Sequence, residues 1–221
     1  MTGSKSSRYR DGARLIAPIG LAAAAFGASF GILAPTADFD GLAAVVMSAT
    51  TFAGSAQFAV VSTLDAGGSV AAAIVAAVLL NARYAPISVS VAPVFRGSLW
   101  RRLLESQLIV DESWVVSRRP DGRFDGRILV GAGLVLYVAW VGGTAVGALV
   151  GEAIADPASL GLDAAFPALF LALLVPQLRS RRALAAALLA AAVALLLIPF
   201  TPAGIPIIAA SAACLIGWSR P

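Results

Sequence analysis

Five long stretches of this chain carry no charge: residues 15–37, 41–64, 128–151, 164–178 and 183–219. About 20 apolar residues cross a bilayer as a helix. Every backbone N–H and C=O must be paired inside the hydrocarbon, so blocks of this kind fold as helices there. Only 13% of the 221 residues are charged, against about 25% in a soluble domain. The pattern predicts an all-α polytopic membrane protein with about seven hydrophobic segments, some of them broken.

The segments are 15–35, 41–64, 69–95, 128–152, 161–178, 183–199 and 202–218. The last uncharged block is too long for one helix, and Pro199, Pro202, Gly204 and Pro206 divide it. Arg8, Arg10 and Arg14 precede the first block as in a signal peptide, but that block is longer than an h-region, so it reads as a retained first helix. Four parts follow: a polar basic tail (1–14), a first membrane half (15–95), a charged connector (96–127) and a second membrane half (128–218).

The connector holds seven arginines and five acidic residues. Residues 98–117 read as an amphipathic helix. Trp100, Leu104, Leu108 and Val115 form one stripe, Asp111 falls on that stripe, and Arg101, Glu105 and Glu112 fall on another face. Gly27-x3-Gly31-x9-Gly41-Leu42 recurs as Gly147-x3-Gly151-x9-Gly161-Leu162, an offset of 120 that also places Pro86 on Pro206. Two readings stand: an internal two-fold repeat, as secondary transporters commonly have, or coincidence in a chain rich in Gly and Ala.

Basic loops favour the cytoplasmic side. Three plain spans between residues 14 and 96 would put two basic regions on opposite sides. Either segment three is a re-entrant pair broken at 81–84, giving parallel repeats, or one basic region violates the rule, giving inverted repeats. Both make 81–84 a break.

Arg83 is the single charge in 66–95. A guanidinium keeps its proton, and at membrane depth it faces a bundle interior or a water-filled cavity and finds a partner. With Asn81 it forms a candidate carboxylate site, because arginine binds carboxylates bidentately. The plainer alternative is an arginine that snorkels to a headgroup or bonds a helix end. Thr51-Phe52-Ala53-Gly54-Ser55-Ala56-Gln57-Phe58 offers a second candidate, with Ser55 and Gln57 on a pathway or Gln57 as interhelical glue. Asp111, on the apolar stripe, could pair with Arg83 or relay protons, and with Glu112 it is a candidate for coupling; the plainer alternative is ordinary salt bridges to Arg101 or Arg102. Asp163 reads as a helix cap, and Trp140 and Cys214 as packing residues.

With no histidine, histidine catalysis, metal binding and pH switching are excluded. No metal-ligand spacing and no phosphate-binding Gly-Lys-Ser/Thr loop is present, so no enzyme, no cofactor and no nucleic acid are expected. The pI near 10.0 comes from arginines that flank apolar blocks, which fits lipid headgroups better than nucleic acid.

Met47-Ser48, the 52–58 motif, Leu80-Asn81-Ala82-Arg83-Tyr84, Asp111-Glu112, Trp140-x2-Gly143-Thr144-x2-Gly147 and Gly161-Leu162-Asp163-Ala164-Ala165-Phe166-Pro167-Ala168-Leu169-Phe170 occur in this order. Together they resemble the AzlC family, the large subunit of bacterial branched-chain amino-acid exporters. Tyr84 departs from that pattern, where the family often has His.

The resemblance implies export of valine, leucine, isoleucine and sometimes methionine across the inner membrane, driven by an ion or proton gradient. It also implies a small AzlD-type partner of roughly 100 residues, long enough for about four spans. In that reading Arg83 and Asn81 hold the substrate carboxylate. Ser55 and Gln57 line the path, small residues on segments one and two with Phe52 and Phe58 accept the branched side chain, and Asp111 or Glu112 couples. Two alternatives are a non-transporting membrane scaffold and a channel for another small anion.

Overall fold

The computed structural model describes residues 5–151, 178–201 and 205–213, with positions 168, 171, 174 and 175. Most of segment five and of the 161–170 motif, with Asp163 and Cys214, lies outside the described residues. So does most of the second copy of the spacing that suggested a repeat.

Two helices form the spine. Helix α1 (Lys5–Leu33) continues through a 3-10 turn at Ala34–Ala37. Helix α8 (Gly126–Gly151) is its partner. Both are long and apolar enough to cross a membrane. Small residues let their backbones touch, the packing that membrane helices use where lipid removes the hydrophobic driving force.

Gly12 lies against the backbone of Ile128, Gly27 against Trp140 and Gly31 against Thr144. In return, Gly131 lies against Tyr9, Gly143 against Ala24 and Gly147 against Ala28. A Cβ at any of the six would overlap a carbonyl oxygen of the other helix. The contacts climb together in number, so α1 and α8 run parallel and start at the same end. That end carries both basic regions, since Arg8 Nη1 lies 2.9 Å from Asp125 Oδ2.

The expected single segment at 41–64 is instead a hairpin of α2 (Gly41–Thr51) and α3 (Gly54–Asp65). Helix α2 descends along α8: Gly41 sits beside Ala148, Ser48 meets Thr144, and Tyr137 donates to Ala49 O. The chain turns at Phe52, whose φ is 42°. Helix α3 then climbs back to the 3-10 turn that ends α1. The hairpin therefore enters and leaves at the end opposite the arginines.

Helix α4 (Val70–Asn81) starts from a Ser69 cap and returns along α3. After a break it continues as α5 (Tyr84–Val91) and a 3-10 turn at Ala92–Val94, bent by 41°. Val94 reaches Gly126 at the start of α8. Segment three is thus one bent crossing, and the re-entrant pair lies one segment earlier than expected. The break at 81–84 is where the sequence put it. Pro86 explains it, since its ring excludes the carbonyl four residues back from a helix and its own N–H is missing.

The connector also differs from expectation. Residues 98–117 form two short helices, α6 (Leu99–Ser106) and α7 (Asp111–Ser117), not one. Helix α6 lies beside α5, and Ser88, Ala92, Leu99, Leu103 and Ser106 line a groove between them. Its end brings Leu108 O against Gly133. Helix α7 runs back down: Trp114 Nε1 donates to Ser90 Oγ at 2.9 Å, and Asp125 N donates to Ser117 O at 2.9 Å. Two hairpins therefore enter from opposite ends and meet inside, where Gln107 Nε2 donates to Thr50 O at 2.8 Å.

Helix α9 (Arg181–Leu197) matches the expected segment six. Helix α10 (Ile205–Ser211) packs on α9 and α4 and lies within expected segment seven.

Candidate functional site

The hairpin tips and the break at 81–84 converge on one cavity of about 250 Å³. Helix α1 supplies Ile19, Ala22, Ala23 and Phe26, and α8 supplies Leu136 and Trp140. The first hairpin adds Phe52, Gly54 and Ser55, the second adds Val110, Asp111 and Glu112, and the break adds Arg83 and Tyr84. One wall is apolar, and the charges gather on the other.

Arg83 organises the polar wall. Its Nη2 donates to Ser55 Oγ at 2.9 Å and lies 3.3 Å from Asp111 Oδ2. The guanidinium sits 5.2 Å from the centroid of the Tyr84 ring, within cation–π range. Its Nε is buried with no hydrogen-bond partner among the described residues, and so is Asn81 Oδ1. Arg83 and Asp111 each remain about a third exposed, at 36% and 34%. The pair is therefore accessible, and a second carboxylate can compete for the same guanidinium.

Gln57 stands behind this wall. It is fully buried and belongs to a closed circuit of hydrogen bonds. Trp140 Nε1 donates to Gln57 Oε1 at 3.0 Å, and Gln57 Nε2 donates to Ser48 Oγ at 2.8 Å. Ser48 meets Thr144 Oγ1 at 2.8 Å, and Thr144 returns its proton to Trp140 O at 2.9 Å. Because Thr144 spends its only proton there, Ser48 is the donor to Thr144. Gln57 Oε1 also accepts from Ala53 N at 3.3 Å, which caps the turn after Phe52. A buried network is stabilising when every member is satisfied, and this one pins α2, α3 and α8 together.

The structure thus brings together Arg83, Ser55, Phe52, Asp111 and Glu112 around the cavity. Asn81 is half-buried at the break and outside the lining, and Gln57 and Phe58 lie behind it. Phe58 reaches the site indirectly, packing edge-on against Trp140 at 6.1 Å between centroids. The Ser48–Thr144 link and the individual residues of the α1 wall were not singled out in the sequence. Trp140, read as packing, both lines the cavity and anchors the circuit. The small residues of α1 at 22 and 23, facing the motif around Trp140, were the available signal.

Asp125 sits apart, at the basic end. Burial alone would raise its pKa. The hydrogen bond from Arg119, the backbone N–H groups of Arg127 and Ile128, and the charge of Arg119 outweigh it and hold the carboxyl below its usual range.

Residues 18–154 match the family described as AzlC protein. An uncharacterized membrane protein of Archaeoglobus fulgidus is 34% identical over 97% of both chains. The inner membrane protein YgaZ of Escherichia coli is 26% identical over 81% of this chain and 77% of its own. The branched-chain amino acid transport protein AzlC of Bacillus subtilis is 25% identical over 68% of this chain and 60% of its own. No solved structure matches. The chain belongs to the AzlC family of membrane proteins.

Proposed function

We propose that this chain is the large subunit of a secondary transporter that exports valine, leucine, isoleucine and methionine across the inner membrane by alternating access. A small AzlD-type subunit completes it. The observation that carries the reading is the placement of Arg83. A lone guanidinium at a helix break, partly exposed to a cavity with an apolar far wall, suits an amino acid with an apolar side chain.

The carboxylate binds Arg83 and Ser55. The ammonium faces Asp111 and Glu112. The branched side chain lies against Phe26, Phe52 and Trp140, with room made by Ala22, Ala23 and Gly54. One or two methyl groups discriminate by only about 1–3 kcal/mol, so the substrates overlap.

Asp111 supplies the coupling. It faces the substrate ammonium, so it holds the amino acid as a carboxylate and releases it on taking up a proton. Proton and amino acid then alternate at one site, the exchange that export against an inward proton gradient requires.

The test is efflux of labelled leucine from proteoliposomes, with and without the small subunit. Arg83→Lys keeps the charge and loses the bidentate fork, and it is expected to abolish efflux while leaving the fold intact. Efflux that survives Arg83→Ala would exclude the carboxylate role. No efflux under any imposed gradient would favour a non-transporting scaffold.

A further inference from the structure

A second cavity, of about 360 Å³, opens at the basic end of the bundle. Six arginines line it: Arg8, Arg96, Arg101, Arg119, Arg123 and Arg127. Two carboxylates answer them, an excess of four positive charges. Asp125 is shared by Arg8 and Arg119, and Glu105 pairs with Arg101 at 2.8 Å. The guanidinium groups of Arg96, Arg123 and Arg127 make no ion pair with a carboxylate among the described residues.

These cations come from separate elements, the start of α1, the turn after α5, helix α6, the loop after α7 and the first turn of α8, so the fold gathers them. The excess charge excludes a cation and gives a neutral zwitterion no advantage. It is also separate from the amino-acid cavity, with no lining residue in common. Guanidinium groups match phosphate oxygens bidentately. The rings of Tyr9, Phe95 and Phe124 line the same cavity. Aromatic side chains with basic neighbours, at the ends of membrane helices, mark the headgroup level.

We propose that this cavity binds a phosphate-bearing anion at the basic end of the bundle, and that the headgroup of an acidic phospholipid supplies it. The site then fastens α1 to the start of α8 from the lipid side, alongside the Arg8–Asp125 pair.

The experiment uses the full chain in neutral-detergent micelles and follows its unfolding midpoint. Phosphatidylglycerol, phosphatidylcholine and inorganic phosphate are titrated separately. Phosphatidylglycerol is expected to raise the midpoint and phosphatidylcholine to leave it unchanged. The triple variant Arg96→Gln, Arg123→Gln, Arg127→Gln breaks no ion pair, so it should fold. It is expected to bind phosphatidylglycerol about a hundredfold more weakly, at roughly fivefold per arginine.

A control variant, Arg102→Gln with Arg118→Gln, removes two exposed arginines outside the cavity and should keep the response. Inorganic phosphate that reproduces the shift, and loses it in the triple variant, assigns the site to free phosphate. An equal response from the triple variant, an equal loss in the control, or no response to either anion would overturn the proposal.

Discussion

Arg83 lies 3.3 Å from Asp111 while the same Nη2 donates to Ser55, so one guanidinium joins the tips of two hairpins that enter from opposite ends. The contact belongs to both hairpins, and moving either one must break part of it. Asp111→Asn removes the charge but keeps the shape. It is expected to keep leucine exchange, raise the half-saturation for substrate, and abolish the response of net efflux to an imposed pH gradient. Exchange and gradient-driven efflux in the same vesicles separate the two effects. A variant that still responds fully to the gradient would move the coupling role elsewhere.

Two adjacent glycines in α8 should behave oppositely. Gly143 lies against the backbone of Ala24, whereas Gly142 has open space where a Cβ would go. Gly143→Ala forces the helices apart and is expected to cost about 1–3 kcal/mol, the range for overpacking. Gly142→Ala relieves a helical glycine and is expected to be neutral or to stabilise by up to about 1 kcal/mol. Titration with a denaturing detergent in mixed micelles reads both.

The circuit through Gln57 predicts non-additivity. Gln57→Leu leaves the Trp140 indole N–H without its acceptor, and an unsatisfied buried group costs about 1–3 kcal/mol. Ser48→Ala cuts the same circuit. Because members of one network couple by about 0.5–3 kcal/mol, the double variant should lose less than the two single losses together. Strict additivity in a double-mutant cycle would mean that the circuit does not act as a unit.

Asp125 sets an acid limb. Its pKa in the folded chain is lowered, so its contribution is present above the usual aspartate pKa. That contribution fades as pH falls through the folded value. Asp125→Asn is expected to lower stability at neutral pH and to flatten the dependence below about pH 4, the ordinary aspartate range. An unchanged acid limb would assign it to other carboxylates.

The sequence carried the break at 81–84 because its cause is local, a proline three residues after the arginine. It carried Arg83 because a charge in an apolar run is costly wherever it sits, and Asp111 because it falls on an apolar stripe. The turn at Phe52 was hidden for the opposite reason. No proline marks it, and Phe52 is a poor choice for positive φ. The turn exists because Gln57 caps Ala53, the Phe52 ring packs on Tyr137 at 5.1 Å between centroids, and Gly54 makes room for Trp140. Tyr137 and Trp140 come from a distant part of the chain.

The same absence explains the connector. Gln107 ends α6 by donating to Thr50 O, a contact that no helical period encodes. The topological conflict between the two basic regions disappears once the re-entrant pair is placed at 41–65. The rule that basic regions share a side was sound, and the choice of which segment turned back was not.

The glycine seam has a mechanical consequence. Interlocked side chains can swap rotamers and let two helices slide, but backbone pressed on backbone has no such give. Under the proposed alternating access, the α1–α8 pair serves as the stator. Whatever motion exposes the Arg83 cavity to one face and then the other falls to the two half-depth hairpins, which act as opposed shutters on a fixed frame.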